Sequence, residues 1–518
     1  MNKLQNEIPG SRAKLYMYLY IIITCLLCFG ATVFLPLDPG YKRLLEQPTK
    51  ILLKTPMAAL FFTFCFVMLF FLQFKLTETI NKKKAVLILI IVGIIYFVSM
   101  PFFSSDIFLY TFKGKIQAEL SLNPYEFVKY FDTPYQYLSP WVFVPLAYGP
   151  LTNLVFKTFY FQGLSPVANM YVLKAVFLLF YAGTVLMVYK YLQRENKPST
   201  QRVHPMSRGA AKTIDDGESK TRSLLNKQSL NDETGKNFVF FALSPLLLIE
   251  GLLCAHLDVM PLFYFILSLI FLQSGASEII KNVPPAAKNL FEKRFPDFQK
   301  LLLSRFAANV FFPLSFFCLG MAAAFKVNYA IFMLPFLIES MRKNKWHFLH
   351  GAFFVLPVAA SMIFYPDINK YIGSIKYVAS LTGVSCIKLF DKIKPLQYLF
   401  LVLIAAAFVY FLYLYLKKRI DVFRFSFIFF MIFLFFNKIF QPWHIFPIYG
   451  LLLFLKPRKF DYFGLLSMTG IYSVYFIFYQ WNEMQNFIAS VIILCAIGYT
   501  VISELIAVKK TAGRQSAR

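Results

Sequence analysis

Charge is scarce in this chain. Only 15% of its 518 residues are Asp, Glu, Lys or Arg, whereas a soluble protein of this length carries about 25% and usually divides into two or more domains. Acidic residues are the scarcer kind: 26 Asp and Glu stand against 53 Lys and Arg, for a formal net charge of +27. Seven Cys, an odd number, leave no legible disulfide framework. The C-x-x-C of Cys25 and Cys28 lies inside the first apolar run, where buried packing is a simpler account than redox or metal chemistry. No G-x-x-x-x-G-K-[ST] stretch occurs, which argues against a transporter driven by ATP bound in this chain. No internal repeat is evident either, which disfavours an inverted-repeat transporter.

What the chain has instead is apolar surface. It is 58% hydrophobic and 19% aromatic, with 63 Phe and a mean hydropathy of +0.58. These residues come in blocks of roughly 18 to 22, about the length a helix needs to cross a bilayer. Disorder, a fibrous chain and an ordinary soluble enzyme are excluded. The fold expected is all-α: a polytopic transmembrane protein of about 12 to 14 membrane helices, with a helical outer loop after the third span. The run from Leu15 to about Leu37 follows Lys3, Arg12 and Lys14. It is longer than a signal-peptide core and lacks a small-residue cleavage site, so it reads as an uncleaved first span. Candidate spans near 328–340 and 443–456 are short enough to be re-entrant or broken.

The organisation that follows has membrane helices over 1–102, an extracytoplasmic loop with amphipathic helices over 103–167, and a membrane helix over 168–192. A polar segment, 193–236, reads as a loose cytoplasmic tether. A transmembrane bundle covers 237–508 and a cytoplasmic tail 509–518. Within the bundle, 274–306 carries a Leu/Phe face suited to the headgroup plane. Placing the N-terminus inside puts 36 Lys and Arg in cytoplasmic segments against 14 outside, the asymmetry the positive-inside rule requires. In that light the basic balance belongs to loops beside anionic headgroups, and nucleic acid is not an expected partner.

Polar residues at membrane depth are costly and need a partner or a purpose. Four groups of them stand out, all on the outer side in this topology. The first is Ser104-Ser105-Asp106 with Tyr110 one helical turn on, followed by Asn123-Pro124-Tyr125 and Tyr148-Gly149-Pro150-Leu151. Asp106 reads either as a carboxylate complementing a helix dipole or as a general base at the membrane surface. The second is Glu250-Gly251 with His256-Leu257-Asp258, either a satisfied hairpin cap or a convergent pair; two candidate ligands are too few for a metal site. The third is Lys326 with Asn328, where the Lys either snorkels to headgroups or faces a lipid phosphate. The fourth is Asn437-Lys438 and Gln441-Pro442-Trp443-His444, with Trp443 suited to interfacial anchoring.

Taken in order, these motifs resemble the polyprenyl-phosphate-sugar-dependent glycosyltransferases of the GT-C fold. The likeness is to the mannosyltransferase-like branch, which includes bacterial polyprenyl-phosphomannose enzymes and the first GPI mannosyltransferase. It rests on Ser104-Ser105-Asp106 through Tyr110, Asn123-Pro124-Tyr125, Tyr148-Gly149-Pro150-Leu151, His256-Leu257-Asp258, Gly320 through Lys326, and Gln441-Pro442-Trp443-His444. Three departures stand beside it. Lys113 occupies a position often acidic in that branch, His444 stands where Tyr is usual, and the outer loop has no D-x-D. The resemblance implies transfer of a hexosyl, typically mannosyl, residue from a polyprenyl-phosphate donor at the outer leaflet to a glycan or glycolipid acceptor among the membrane lipids. Inversion at the anomeric carbon is implied, with no cofactor and no metal. In that scheme Asp106 is the base, Lys326, His444 and His256 serve the donor phosphate, and Asp258, Tyr110, Tyr148 and Trp443 complete the donor site. A lipid-linked saccharide flippase and an O-antigen-type polymerase or ligase are the competing readings. The Phe/Ile/Lys-rich chain, with no evident ER retention signal, favours a bacterial plasma membrane over the ER.

Overall fold

In this computed structural model the described residues are 9–34, 56–101, 104–128, 133–139, 142–195, 235–276, 296–364, 367–380, 394–436 and 442–455, with a few isolated positions beyond. Among them all regular structure is helical. In chain order the α-helices are α1 (Pro9–Phe34), α2 (Pro56–Thr79), α3 (Lys82–Val98), α4 (Asp106–Glu119), α5 (Thr133–Leu138), α6 (Pro150–Thr158) and α7 (Pro166–Glu195). A broken helix, α8 (Gly235–Leu253), ends in a π-turn over Ile249–Leu253. It is followed by α9 (Val259–Ala276), α10 (Pro296–Phe325), α11 (Met333–Lys343), α12 (Ala352–Met362), α13 (Ile368–Ser380), α14 (Lys394–Leu416), α15 (Val422–Phe436) and α16 (Phe446–Leu452).

Among the described residues four helices are long and apolar enough to cross a membrane: Ser11–Gly30, Leu60–Thr79, Pro166–Gln193 and Gly235–Leu253. Shorter apolar helices lie at Val259–Ser274, Asn309–Phe325, Leu401–Leu416, Val422–Leu434 and Trp443–Leu452. Two apolar stretches are not single α-helices, the first of them expected to be re-entrant or broken. Residues 328–340 divide into a 3-10 segment, Val327–Phe332, and the 11-residue α11, while 348–365 begins as a 3-10 segment, Lys345–Gly351, before the 11-residue α12. Eleven residues rise about 16 Å, roughly half a bilayer core. The segment 443–456 is likewise broken, a 3-10 turn at Pro442–Ile445 preceding α16. Residues 277–295 of the segment with the headgroup-facing pattern lie outside the described residues, and α10 runs from Pro296 into the apolar stretch. Residues 456–494, all but isolated positions of 495–508, nearly all of the tether 193–236 and the tail 509–518 lie outside the described residues.

The outward faces of the first helices are apolar. Leu15, Tyr18, Ile22, Leu26 and Phe29 of α1 are exposed at helical spacing, as are Leu60, Phe64, Val67 and Phe71 of α2 and Leu87, Ile90, Ile94 and Val98 of α3. Opposite stripes, such as Ile88, Val92 and Tyr96 of α3, are buried. Water would meet polar residues on such outward faces; large apolar side chains in continuous stripes fit hydrocarbon.

At the centre stands α8, almost wholly buried. Pro245 has no N–H to give, and Ser244 accepts from Leu247 N, so the helix breaks there. Carbonyls just before the break need other donors. Gln73 Nε2 donates to Phe240 O (2.7 Å), Tyr20 OH to Leu243 O (2.8 Å) and Tyr181 OH to Ala242 O (3.2 Å). Helices α1, α2 and α7 are thereby tied to α8. Lys174 of α7 closes the far end of α3, its Nζ donating to Tyr96 O (2.8 Å) and Ser99 O (2.6 Å). That contact fixes where the chain leaves α3 for Asp106.

Chain direction sorts the ends of the elements. The C-terminal ends of α3, α8 and α10 and the N-terminal ends of α9 and α16 meet at one end of the bundle, together with α4 to α6. The opposite end carries Lys82 to Lys84, Arg342, Lys343, Lys345 and Lys417 to Arg419. There Tyr415 OH donates to Glu339 Oε2 (2.6 Å), which also pairs with Arg342 at 2.9 Å.

Removing the donor to a buried carbonyl costs about 1–3 kcal/mol. Gln73→Leu, which strands Phe240 O, is expected to lower the thermal unfolding midpoint in detergent micelles, while the lipid-side change Phe64→Leu leaves it unmoved.

Candidate active site

Ser104, Ser105 and Asp106 open α4. Ser105 occupies the cap position without a side-chain cap bond, and Ser104 Oγ instead accepts from Asp106 N at 3.2 Å. Asp106 thus begins the helix, and Tyr110 lies one turn further on the same face. The Tyr110 ring stacks on Phe156 of α6 (4.7 Å, 13°), and its hydroxyl lies 3.3 Å from Tyr148 OH and 3.4 Å from His256 Nδ1. Gly114, a turn beyond Tyr110, lets α4 and α6 touch: a Cβ there would stand 2.4 Å from Phe156 O.

His256 comes from the turn after α8. Ala255 takes a left-handed backbone (φ 52°) and His256 N donates to Glu250 O at 2.8 Å, folding the turn back on the π-segment. Gly251 makes room for this; a Cβ would meet Val259 Cγ1 at 2.6 Å. The imidazole is fully buried, with Nδ1 3.6 Å from Asp106 Oδ2 and Nε2 3.0 Å from Glu250 Oε2. The Nε2 contact is within ion-pair reach but not aligned as a hydrogen bond. Trp443 covers the ring face, stacked at 3.8 Å and 25°. His444 follows, its ring edge-on to Trp443 at 6.2 Å.

Asp258 does two things. Its backbone carbonyl accepts from Leu262 N at the start of α9, and its Oδ1 accepts from Lys326 Nζ at 2.6 Å. Lys326 does not snorkel. It sits in extended backbone (φ −146°, ψ 112°) between α10 and the following 3-10 turn, buried and paired with Asp258. Phe325 O, immediately before it, accepts from Gly149 N and Thr152 Oγ1, both at 2.9 Å. These bonds dock α6 on the end of α10 and bring the Tyr148 ring within 6.0 Å of Lys326 Nζ.

Asp106, Tyr110, Tyr148, His256, Asp258, Lys326 and Trp443 accordingly form one connected cluster, with His444 beside Trp443. Glu250 belongs to it as well and was not among the expected site residues. The signal for it was present: it is an acid inside an otherwise apolar run, 237–254. Asn437, Lys438 and Gln441 lie outside the described residues. Lys113, also on α4, is fully buried with no hydrogen-bond partner for Nζ among the described residues, and burial pushes its ammonium down to about 7.

The electrostatics follow from burial. Asp106 is pushed above the ordinary carboxylate range by burial, against the pull of His256, with Glu250 and Asp258 adding to the rise. Asp258 is raised too, burial outweighing Lys326. Burial alone would lower His256, but the carboxylates of Glu250, Asp106 and Asp258 carry it above its ordinary value. Asp106 is the reachable carboxylate of the triad: its side chain is 20% exposed, against 1% for Glu250. Asp258 Oδ2 and Tyr329 OH are buried with no hydrogen-bond partner among the described residues, so the site has polar atoms suited to a hydroxyl-rich ligand. Among the described residues no three His, Cys, Asp or Glu are placed to hold a metal ion.

A Cβ at position 149 would stand 1.9 Å from Ala324 O. Gly149→Ala is expected to pry α6 from the end of α10 and to cost about 1–3 kcal/mol, as overpacking does. A lower unfolding midpoint in micelles checks this, with Gly373→Ala as the control for a helical glycine that meets nothing nearby.

Comparison with family models, curated proteins and solved structures found no match to this chain.

Proposed function

We propose that this chain is an integral-membrane glycosyltransferase of the GT-C type, polytopic with about 12 to 14 helices. It moves a hexosyl residue, mannosyl by the resemblance, from a polyprenyl-phosphate donor to a hydroxyl of a lipid or glycan acceptor. The observation that supports this most is the juxtaposition in one cluster of a partly exposed carboxylate of raised proton affinity, Asp106, and a buried ammonium, Lys326. Tyr148 stands between them, in contact with Tyr110 on one side and below Lys326 Nζ on the other. The charge asymmetry between the ends of the bundle supports an extracytoplasmic site, and a bacterial plasma membrane is the proposed location.

In this reading the acceptor oxygen attacks the anomeric carbon from the face opposite the phosphate. The acceptor O–H proton passes to Asp106 as the new C–O bond forms. The bond from the anomeric carbon to the phosphate oxygen breaks, and its electron pair stays on the lipid phosphate. Charge growing there is met by Lys326, which spends one N–H on Asp258 and keeps two for the phosphate. Asp258 sets the direction of that ammonium. A single displacement inverts the sugar, so a β-linked donor gives an α-linked product. His444 and Trp443 border the donor side, and no cofactor is assigned.

Purified protein with radiolabelled polyprenyl-phosphate-mannose and membrane lipid acceptors is expected to give a labelled, alkali-stable glycoside. Loss of a general base costs about 100-fold or more, so Asp106→Asn is expected to lose turnover to at least that extent while donor binding persists. Wild-type activity is expected to fall with acidity at a pH above an ordinary aspartate's value of about 3.9, because the base must be ionised and its folded-state affinity for protons is raised. Full turnover by Asp106→Asn would overturn the assignment, and labelled lipid crossing vesicle bilayers without covalent transfer would favour a flippase.

A further inference from the structure

Glu250 has no part in the chemistry above, yet it is buried against it. An acid in an apolar helix is retained at a cost of several kcal/mol unless it has a partner. Its partner is His256, and the geometry of that contact depends on local backbone. The π-turn over Ile249–Leu253 and the left-handed Ala255 bring the ring back over Glu250, so that Oε2 meets Nε2 at 3.0 Å. The other ring nitrogen faces Asp106 Oδ2 at 3.6 Å and Tyr110 OH at 3.4 Å.

A neutral imidazole has one N–H donor and one lone pair. A neutral ring protonated at Nε2 has only the Tyr110 hydroxyl, 3.4 Å from Nδ1, to offset a lone pair turned toward Asp106 at 3.6 Å. An imidazolium sets a positive charge within ion-pair reach of both carboxylates. The ring face is covered by Trp443 at 3.8 Å, and an aromatic face over a cation is favourable. The charged and titratable groups around the ring are Asp106 and Tyr110 of α4, Tyr148 before α6, Glu250 of the π-turn, Asp258 of its own turn and Lys326 after α10. Carboxylates exceed cations among them, and Lys326 is already committed to Asp258.

We propose that His256 is held as an imidazolium between Asp106 and Glu250 beneath the Trp443 ring, with Glu250 the positioning residue that keeps it so. Its consequence for catalysis rests on the glycosyl-transfer reading: the imidazolium steers the Asp106 carboxylate and keeps it ionised to receive the acceptor proton. The charge state of the ring does not depend on that reading.

Trp443 makes the charge state measurable, because an imidazolium against an indole quenches its emission more than a neutral imidazole does. The chain has four Trp, so the difference between the full chain and its Trp443→Phe variant isolates this one. Titrated in micelles, the Trp443 emission is expected to stay quenched above the ordinary histidine value of about 6.5 and to recover at higher pH. With His444, whose ring lies 6.2 Å from the same indole, replaced by Phe throughout the series, His256→Asn is expected to abolish the titration. A carboxylate at this range is worth about one pH unit or more, so Glu250→Gln is expected to move the midpoint down by that much and Glu250→Asp to bring most of it back. A Trp443 signal that titrates alike with and without His256 would overturn the imidazolium, whatever Glu250→Gln does to folding. An unmoved midpoint in Glu250→Gln would overturn the role of Glu250. In transfer assays Glu250→Gln is expected to lower kcat, leave the donor KM unchanged and shift the alkaline limb toward acid. An active wild type with a Glu250→Gln variant of full kcat and unshifted limb would refute the positioning role and leave glycosyl transfer standing. A wild type with no transfer would refute glycosyl transfer and leave the emission result standing.

Discussion

A buried ammonium in an apolar bundle needs acceptors for its N–H groups, and a carboxylate is the strongest of them; that constraint organises the site end of this protein. Lys326 and Asp258 are 68 positions apart and meet at 2.6 Å, with side-chain exposures of 9% and 2%. Their pairing joins the end of α10 to the start of α9. Once the end of α10 is fixed, Phe325 O is placed to accept from Gly149 and Thr152, and the Tyr148 loop follows. Tyr148 then meets Tyr110, and Tyr110 places Asp106 against His256. A pair of this kind adds little net stability, since desolvation offsets most of its attraction. What it contributes is a single arrangement of helix ends.

The same rule, that polar groups in an apolar surround must be matched, accounts for the centre of the bundle. The break at Ser244-Pro245 frees carbonyls that Tyr20, Gln73 and Tyr181 satisfy from three neighbouring helices. Lys174 does the same for the end of α3. It looks, by residue type alone, like a candidate for the chemistry, and its ammonium is occupied with backbone oxygens. Lys113 is the contrasting case: buried, without a hydrogen bond among the described residues, and held near neutrality by burial.

Much of this was legible in the sequence, because membrane depth makes polar residues expensive and therefore informative. Asp106, His256, Asp258, Lys326 and Trp443 were each conspicuous against apolar neighbours, and the structure brings them together from four separate stretches of chain. The helical character was legible for the same reason. Helix lengths were legible only in part: the shortness of 328–340 and 443–456 marked them as broken, but the 3-10 turn at Lys345–Gly351 and the start of α10 at Pro296, in a segment patterned like a surface helix, were not foreseen. Hydropathy records composition and does not register such changes of backbone winding. Glu250 was visible as a lone acid, but its direction depends on a π-turn and a left-handed alanine that no propensity announces. The snorkelling alternative for Lys326 failed because its partner lay far off in sequence, where local reading does not reach.

The central claim, that distant polar residues form one coupled site, is tested most directly by a double-mutant cycle on Asp258 and Lys326. Unfolding free energies in micelles would be measured for Asp258→Asn, Lys326→Met and the double variant. Removing one partner strands a buried charge, at about 3–5 kcal/mol, whereas removing both strands none. The account predicts a double variant less destabilised than the sum of the single variants, with a coupling above about 1 kcal/mol. Simple additivity would place the two residues apart and contradict it.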